Sequence, residues 1–197
     1  MSKYAKTTYG IHQLLESRWS PRAFRDVPIE KDKLRRIFEA AAWSPSSWNE
    51  QPWRYIIGEK GGETYNKILD SLVETNSRWA KNAPVLIVCT ALKHFSHNHH
   101  DNFHFLYDSG QSVAHLTFQA MYEGIYVHQM AGFHFEKLKT YFDIPPEFYI
   151  TSVIALGYLG SPESLDDDFK ERELAERERK DVSEIFYVDR FGQSWEF

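Results

Sequence analysis

Two short clusters concentrate the side chains best suited to holding a ligand. The first, Arg18-Trp19-Ser20-Pro21-Arg22, places two guanidinium groups and a hydroxyl within five residues at the end of a predicted helix. Arginine suits phosphate, because its planar fork donates paired hydrogen bonds and keeps its charge. The same cluster also reads as a solvated basic helix end favoured by the helix dipole. The second cluster, Ser44-Pro45-Ser46-Ser47-Trp48-Asn49-Glu50-Gln51-Pro52-Trp53, gathers hydroxyls and amides in a proline-bounded loop before a strand. Such groups donate and accept without charge, which matches a ribityl chain or the edge of a neutral heterocycle. A loop that merely caps its neighbours has the same composition.

Histidine forms a third concentration: His94, His97, His99, His100 and His104. Imidazoles can bind zinc or copper, but a structural zinc site presents four ligands at set spacing. No cysteine accompanies these residues, and Asp101 is the neighbouring carboxylate. The segment is expected to cover a pocket or to lie in solvent, and no metal ligand is assigned. His128 is weighed as a group near substrate and as a satisfied structural histidine, with the structural role preferred. Cys89 sits in the apolar run Pro84–Cys89 and reads as a core thiol rather than a nucleophile. The sequence lacks a Walker-type phosphate loop, a Gly-x-Gly-x-x-Gly turn and a Gly-x-Ser-x-Gly elbow. A bound nucleotide would thus be held by side chains rather than by a glycine cradle.

The chain that must position these groups is 197 residues long, enough for one domain spanning 1–197 with a real core. Its 42% hydrophobic and 26% charged residues are ordinary globular values. The aromatic share of 16%, with six Trp, calls for stacking surfaces or broad interfaces. A net charge of -5 without a basic stripe argues against duplex nucleic acid as a partner. The lone cysteine excludes an internal disulfide framework and fits a reducing compartment. Residues 1–11 are polar and lack the apolar core of a signal peptide, and no apolar run approaches a membrane span. The expectation is a soluble cytoplasmic protein with no membrane partner.

Periodicity predicts alternating helices and strands. Ile11, Leu14 and Leu15 share a helical face that Pro21 ends, and Leu34, Ile37, Phe38 and Ala41 repeat at helical spacing. Strands are predicted over 53–58, 85–90, 125–130 and 150–156, with 85–90 central because it is continuously apolar. A third helix carries Tyr65, Ile68, Leu69, Leu72 and Val73; a fourth spans 109–123 and ends at Gly124; a short one spans 136–142. This pattern describes an α/β or α+β sandwich, and α+β is the class expected. Residues 93–105 are read as a lid or loop, and 161–180 as a densely charged stretch. The terminal arm, 181–197, turns aromatic at Phe186, Tyr187, Phe191, Trp195 and Phe197, and is expected to pack on its own domain or on a partner subunit.

In this order and spacing, Arg-x-Ser-x-Arg, one helix, then Pro-Ser-Ser-x-Asn-x-Gln-Pro-Trp opening a strand resembles the nitroreductase family of FMN-dependent oxidoreductases. The likeness continues through Trp79–Val88, Tyr107-Asp108-Ser109-Gly110 and Gln129-Met130-Ala131-Gly132-Phe133. It extends to Ile154-Ala155-Leu156-Gly157-Tyr158, and to Arg177-x-Arg179 followed by Val182 and Ile185.

The resemblance implies a mainly antiparallel sheet flanked by helices, in an intertwined homodimer with FMN sites at the subunit interface. It implies that Arg18 and Ser20 hold the FMN phosphate, with Trp19 beside them and Arg177 and Arg179 approaching from the tail. Arg22 would sit by the pyrimidine edge of the flavin, where a positive charge stabilises the anionic reduced ring. Pro45, Ser46, Ser47, Asn49 and Gln51 would contact cofactor across the interface. Asn76 would lie near the flavin, with the Ala131 and Gly132 main-chain N–H groups toward its N5 side. The implied activity is ping-pong: hydride from NADH or NADPH passes through flavin N5 to a nitroaromatic, quinone or similar small acceptor. No side chain is nominated as catalytic. The alternatives are reductive dehalogenation or dehydrogenation on the same scaffold, and a flavin- or metal-binding module without turnover. Trp48 stands where the family often has a small residue, Trp19 where a second arginine is frequent, and Leu159 where proline is usual. The 93–105 lid has no matching segment, which leaves the acceptor open.

Overall fold

The computed structural model describes residues 3–195, so Met1 at the polar start and the aromatic Phe197 at the end of the arm lie outside the described residues. Four antiparallel strands form the central sheet: β1 (Trp53–Glu59), β2 (Val85–Leu92), β3 (Tyr126–Met130) and β4 (Phe148–Gly157). Their order is β1-β2-β4-β3. Around them lie α1 (Gln13–Ser17), α2 (Lys31–Ala42), α3 (Glu63–Asp70), α4 (Glu74–Ala80), α5 (Phe105–Tyr122), α6 (Phe135–Phe142) and α7 (Asp167–Leu174).

Strand alternation divides the core into two halves. Val85, Ile87 and Cys89 of β2 face one side with Ile154, Leu156 and Val127; Leu34, Ile37 and Ala41 of α2 and Val113, Leu116 and Ala120 of α5 close over them. Leu86 and Val88 face the other side with Val153 and Ala155, under Tyr65 and Ile68 of α3, Trp79 of α4, Leu138 of α6 and Phe169 of α7. Each buried Leu or Ile contributes roughly 1.5–3 kcal/mol. β2 is therefore apolar on both faces, as its continuous run required.

The expected α+β sandwich is the observed one, with local corrections. The third helix ends at Asp70, because Leu72 instead pairs as an isolated bridge with Phe133. A new helix, α4, then follows; it was not foreseen because Trp79 and Ala80 alone carry its buried face. α5 starts at Phe105, taking the end of the predicted lid, and Gly124 follows it at φ 75°, the left-handed position expected of a helix stop. α7 lies inside the charged stretch; its inward side chains are Phe169 and Glu173. β4 begins at Phe148, two residues before the predicted start.

The arm keeps much of its apolar surface in solvent. It folds into a small hairpin, with the Val188 N–H bonding the Gln193 carbonyl at 2.9 Å and the Trp195 N–H the Phe186 carbonyl at 3.0 Å. Ile185, Val188 and Phe191 remain exposed, Phe191 at 93%.

Candidate functional site

A cleft of about 220 Å³ forms where three distant segments meet, and six cations line it: Lys3, Arg18, Arg22, Arg172, Arg177 and Arg179, with Trp19, Ser20, Ala175 and Glu176. The Arg18 guanidinium lies 3.4 Å from Ser20 Oγ. Arg177 crosses to the N-terminal segment, donating from Nη1 to the carbonyls of Lys3 at 2.8 Å and Glu16 at 2.5 Å. Lys3 bonds the Ala175 carbonyl at 2.6 Å and places its ammonium 4.6 Å from the Trp19 ring centroid. The buried Trp19 also meets Tyr126 edge-on at 6.4 Å. Trp19 thus supplies a wall of the cleft and seats a lysine over its ring.

The Arg18–Ala23 segment is clamped from below. Glu173, 1% exposed, accepts the Arg22 N–H at 3.1 and 2.9 Å and the Ala23 N–H at 3.0 Å. His128 Nδ1 lies 2.8 Å from the Pro21 carbonyl, its ring 4.4 Å from that of Trp79. Burial lowers the His128 pKa to about 4, so the ring is neutral at pH 7 and donates to that carbonyl. His128 is accordingly a structural tie. The Gly160 N–H bonds the Ala23 carbonyl at 2.8 Å, and Phe24 stacks on Trp79 at 6.2 Å.

Electrostatics show what the cleft wants. Burial lowers the pKa of Arg18, and the charges of Arg177 and Arg179 lower it further; burial and then Arg179 do the same to Arg177. Arg22 is lowered by burial and by Arg172, against the opposing pull of Glu173. These guanidiniums stay charged, so the shifts report partial burial first and, for Arg18 and Arg177, mutual repulsion among the arginines second. A phosphate monoester, carrying about -1.5 to -2 charges, relieves that repulsion.

The second predicted cluster stands apart: Pro45, Ser46, Ser47, Asn49 and Gln51 do not line this cleft. Trp48, Asn49 and Gln51 adopt φ of 53°, 54° and 50°, in the left-handed region that non-glycine residues seldom enter. Such a backbone is held only where its surroundings fix it. Buried Asp108 of α5 accepts the Ser47 N–H at 3.1 Å, Ser46 Oγ accepts the Gln51 N–H at 2.9 Å, and Gln51 Nε2 bonds the Asn49 carbonyl at 3.0 Å. Glu50 accepts the Ser96 N–H at 3.0 Å and the Ser96 hydroxyl, tying this loop to the 93–104 segment. Trp48, 82% exposed, faces His97 at 6.0 Å, and His97 faces Phe95 at 5.5 Å. Of the clustered histidines, His94 Nδ1 lies 2.9 Å from Asp101, and among the described residues no three His, Cys, Asp or Glu side chains converge as a metal site would need.

Asn76 and Gly132 do come together. Asn76 Nδ2 donates to the Gly132 carbonyl at 3.0 Å, as does the Val73 N–H at 3.2 Å. A Cβ on Gly132 would meet Asn76 Nδ2 at 2.7 Å and Val73 Cγ2 at 2.8 Å, so any larger residue must displace one of these side chains. Ala131, next to it, is exposed. Lys3, Arg172 and Glu173 were missed from sequence. For Arg172 and Glu173 the available signal was Phe169 and Glu173 four residues apart, an inward stripe within the charged run.

With the geometry established, comparisons with known proteins converge. The model of the nitroreductase family matches residues 15–78, which include both predicted clusters. A solved oxidoreductase containing FMN is 33% identical and superposes with a TM-score of 0.91 over 96% of each chain. An uncharacterized 15.4 kDa protein of Mycolicibacterium smegmatis is 29% identical over 71% of this chain and 97% of its own. A putative NADH dehydrogenase/NAD(P)H nitroreductase of Archaeoglobus fulgidus is 26% identical over 74% of this chain and 83% of its own.

Proposed function

This chain belongs to the nitroreductase family, and from that premise we propose that it is an FMN-dependent oxidoreductase passing hydride from NADH or NADPH to a nitroaromatic, quinone or similar small acceptor. One observation carries the reading: arginines far apart in sequence, Arg18 and Arg22 with Arg172, Arg177 and Arg179, gather in one partly desolvated cleft. That donor set fits the phosphate monoester of FMN, which a purely structural ion-pair surface would not need.

When bound, FMN would supply the hydride-transfer chemistry that links nicotinamide to acceptor. The protein binds, orients and excludes water. Arg18, Ser20, Arg177 and Arg179 hold the phosphate, while Lys3 and Arg172 add positive field. Arg22 places fixed charge toward the ring. Gly132, pressed against Asn76, would let the Ala131–Gly132 main chain approach the cofactor. The loop carrying Pro45, Ser46, Ser47, Asn49 and Gln51 completes the site of the partner subunit in a homodimer. Exposed apolar groups on the arm, with Trp43, Trp48 and Tyr122, support that assembly. The buried free thiol of Cys89 supports a cytoplasmic setting. Among the described residues no helix is long and apolar enough to cross a membrane.

Purified protein is expected to be yellow, to bleach on anaerobic addition of NADH or NADPH, and to recolour when a nitroaromatic or quinone is added. Yellow protein that fails to bleach with either nicotinamide would reduce the reading to a flavin-binding module. Colourless protein that takes up no added FMN would overturn it.

A further inference from the structure

The anion cleft has two walls, and Glu173 joins them. One wall is the Arg18–Arg22 segment; the other runs from Arg172 at the end of α7 through Arg177 and Arg179. Glu173 follows Arg172 directly, yet its carboxylate is turned away from solvent and bonds the main chain of the opposite wall, 151 residues earlier. Both oxygens are used: Oε1 accepts from Arg22 and Ala23, and Oε2 from Arg22. A buried carboxylate is costly unless its acceptors are satisfied, and here main-chain N–H groups satisfy it. It also lies close enough to Lys3 and Arg22 for its charge to act on both. The remaining ties on the peptide, from His128 to the Pro21 carbonyl and from Gly160 to that of Ala23, come from the sheet side. Among the described residues, the hydrogen bonds joining this peptide to the helix that carries the facing arginine all end on Glu173.

We infer that Glu173 is a positioning residue: by fixing the Arg22 main chain against α7 it sets the spacing of the two arginine walls, and with it the preference for a phosphorylated flavin over its dephosphorylated form. This rests on the cofactor reading above. Glutamine at 173 keeps the length but turns an NH₂ toward an N–H donor, so one clamp bond is lost and the walls relax. Aspartate keeps both oxygens and the charge but retracts them by one methylene.

The test is titration of flavin-stripped full-length protein with FMN and with riboflavin, followed by flavin fluorescence, for wild type, Glu173→Gln and Glu173→Asp. The ratio of FMN to riboflavin affinity is expected to fall at least about tenfold in Glu173→Gln, with riboflavin affinity nearly unchanged, and to recover in part in Glu173→Asp. A role in stability alone would lower the melting temperature and weaken both flavins in parallel, which overturns the inference. Tighter FMN binding in Glu173→Gln, the mark of a merely repelling charge, overturns it too. If Glu173→Gln does not fold, the Asp variant carries the same ratio test, and an unchanged ratio there counts against the inference. Wild type that does not prefer FMN would instead refute the phosphate assignment itself.

Discussion

Single side chains divide into those that face ligand and those that hold them there. On the proposed reading Arg18 belongs to the first group: Arg18→Ala is expected to release FMN during gel filtration with the fold intact. Each lost charge-assisted bond costs about 1.5–3 kcal/mol, and full flavin retention would contradict the assignment. His128 belongs to the second group. Unfolded, it takes a proton near pH 6.5; folded, only near pH 4. The folded state therefore binds fewer protons in that window. The contribution to stability is complete above pH 6.5 and shrinks as pH falls toward 4, by on the order of 3 kcal/mol. Urea unfolding at pH 7 and pH 4.5 should show this loss in wild type and a smaller one in His128→Asn. An equal loss in both would remove His128 as its source. Cys89 is wholly enclosed, and burial pushes its thiol up to about 12. Native protein should resist iodoacetamide and become labelled only on unfolding, since thiolate is the reactive form.

Among the elements, the turn after β3 is the most sharply constrained. A methyl group on Gly132 would have to push aside Asn76 or Val73, so Gly132→Ala should destabilise by about 1–3 kcal/mol and loosen flavin together. A melting temperature equal to wild type would show that α4 yields instead. This contact was half legible in the sequence: Gly132 and Asn76 were each singled out, but their meeting needed α4, whose helical pattern is too short to read. Continuous apolar β2 and the long stripe of α5 were plain, because burial on a whole face leaves a periodic trace. α7 was hidden, since most of its residues face solvent and the inward pair is one phenyl ring and one carboxylate. Likewise, the two clusters were legible as donor sets, whereas the left-handed backbone of Trp48, Asn49 and Gln51 could not be read from residues that usually avoid it.

For the molecule as a whole, the arm and the 44–51 loop are unfinished in one chain. Ile185, Val188 and Phe191 have apolar surface in water, as do Trp48 and Phe103 elsewhere, the latter at 88%. An isologous dimer would cover such patches. Ending the chain after Val182 should therefore give monomers or insoluble protein on sedimentation, and a truncated protein that stays a stable dimer would remove the arm from the interface. The arginine cleft adds a consequence in time. Arg177 reaches back 174 residues to the Lys3 carbonyl, so the cleft is stitched from segments far apart in the polypeptide. A chain still emerging from the ribosome lacks one side of it, and such distant pairings form slowly. On the proposed assignment, flavin is expected to bind only once the segment through Arg179 is free to fold against Arg18.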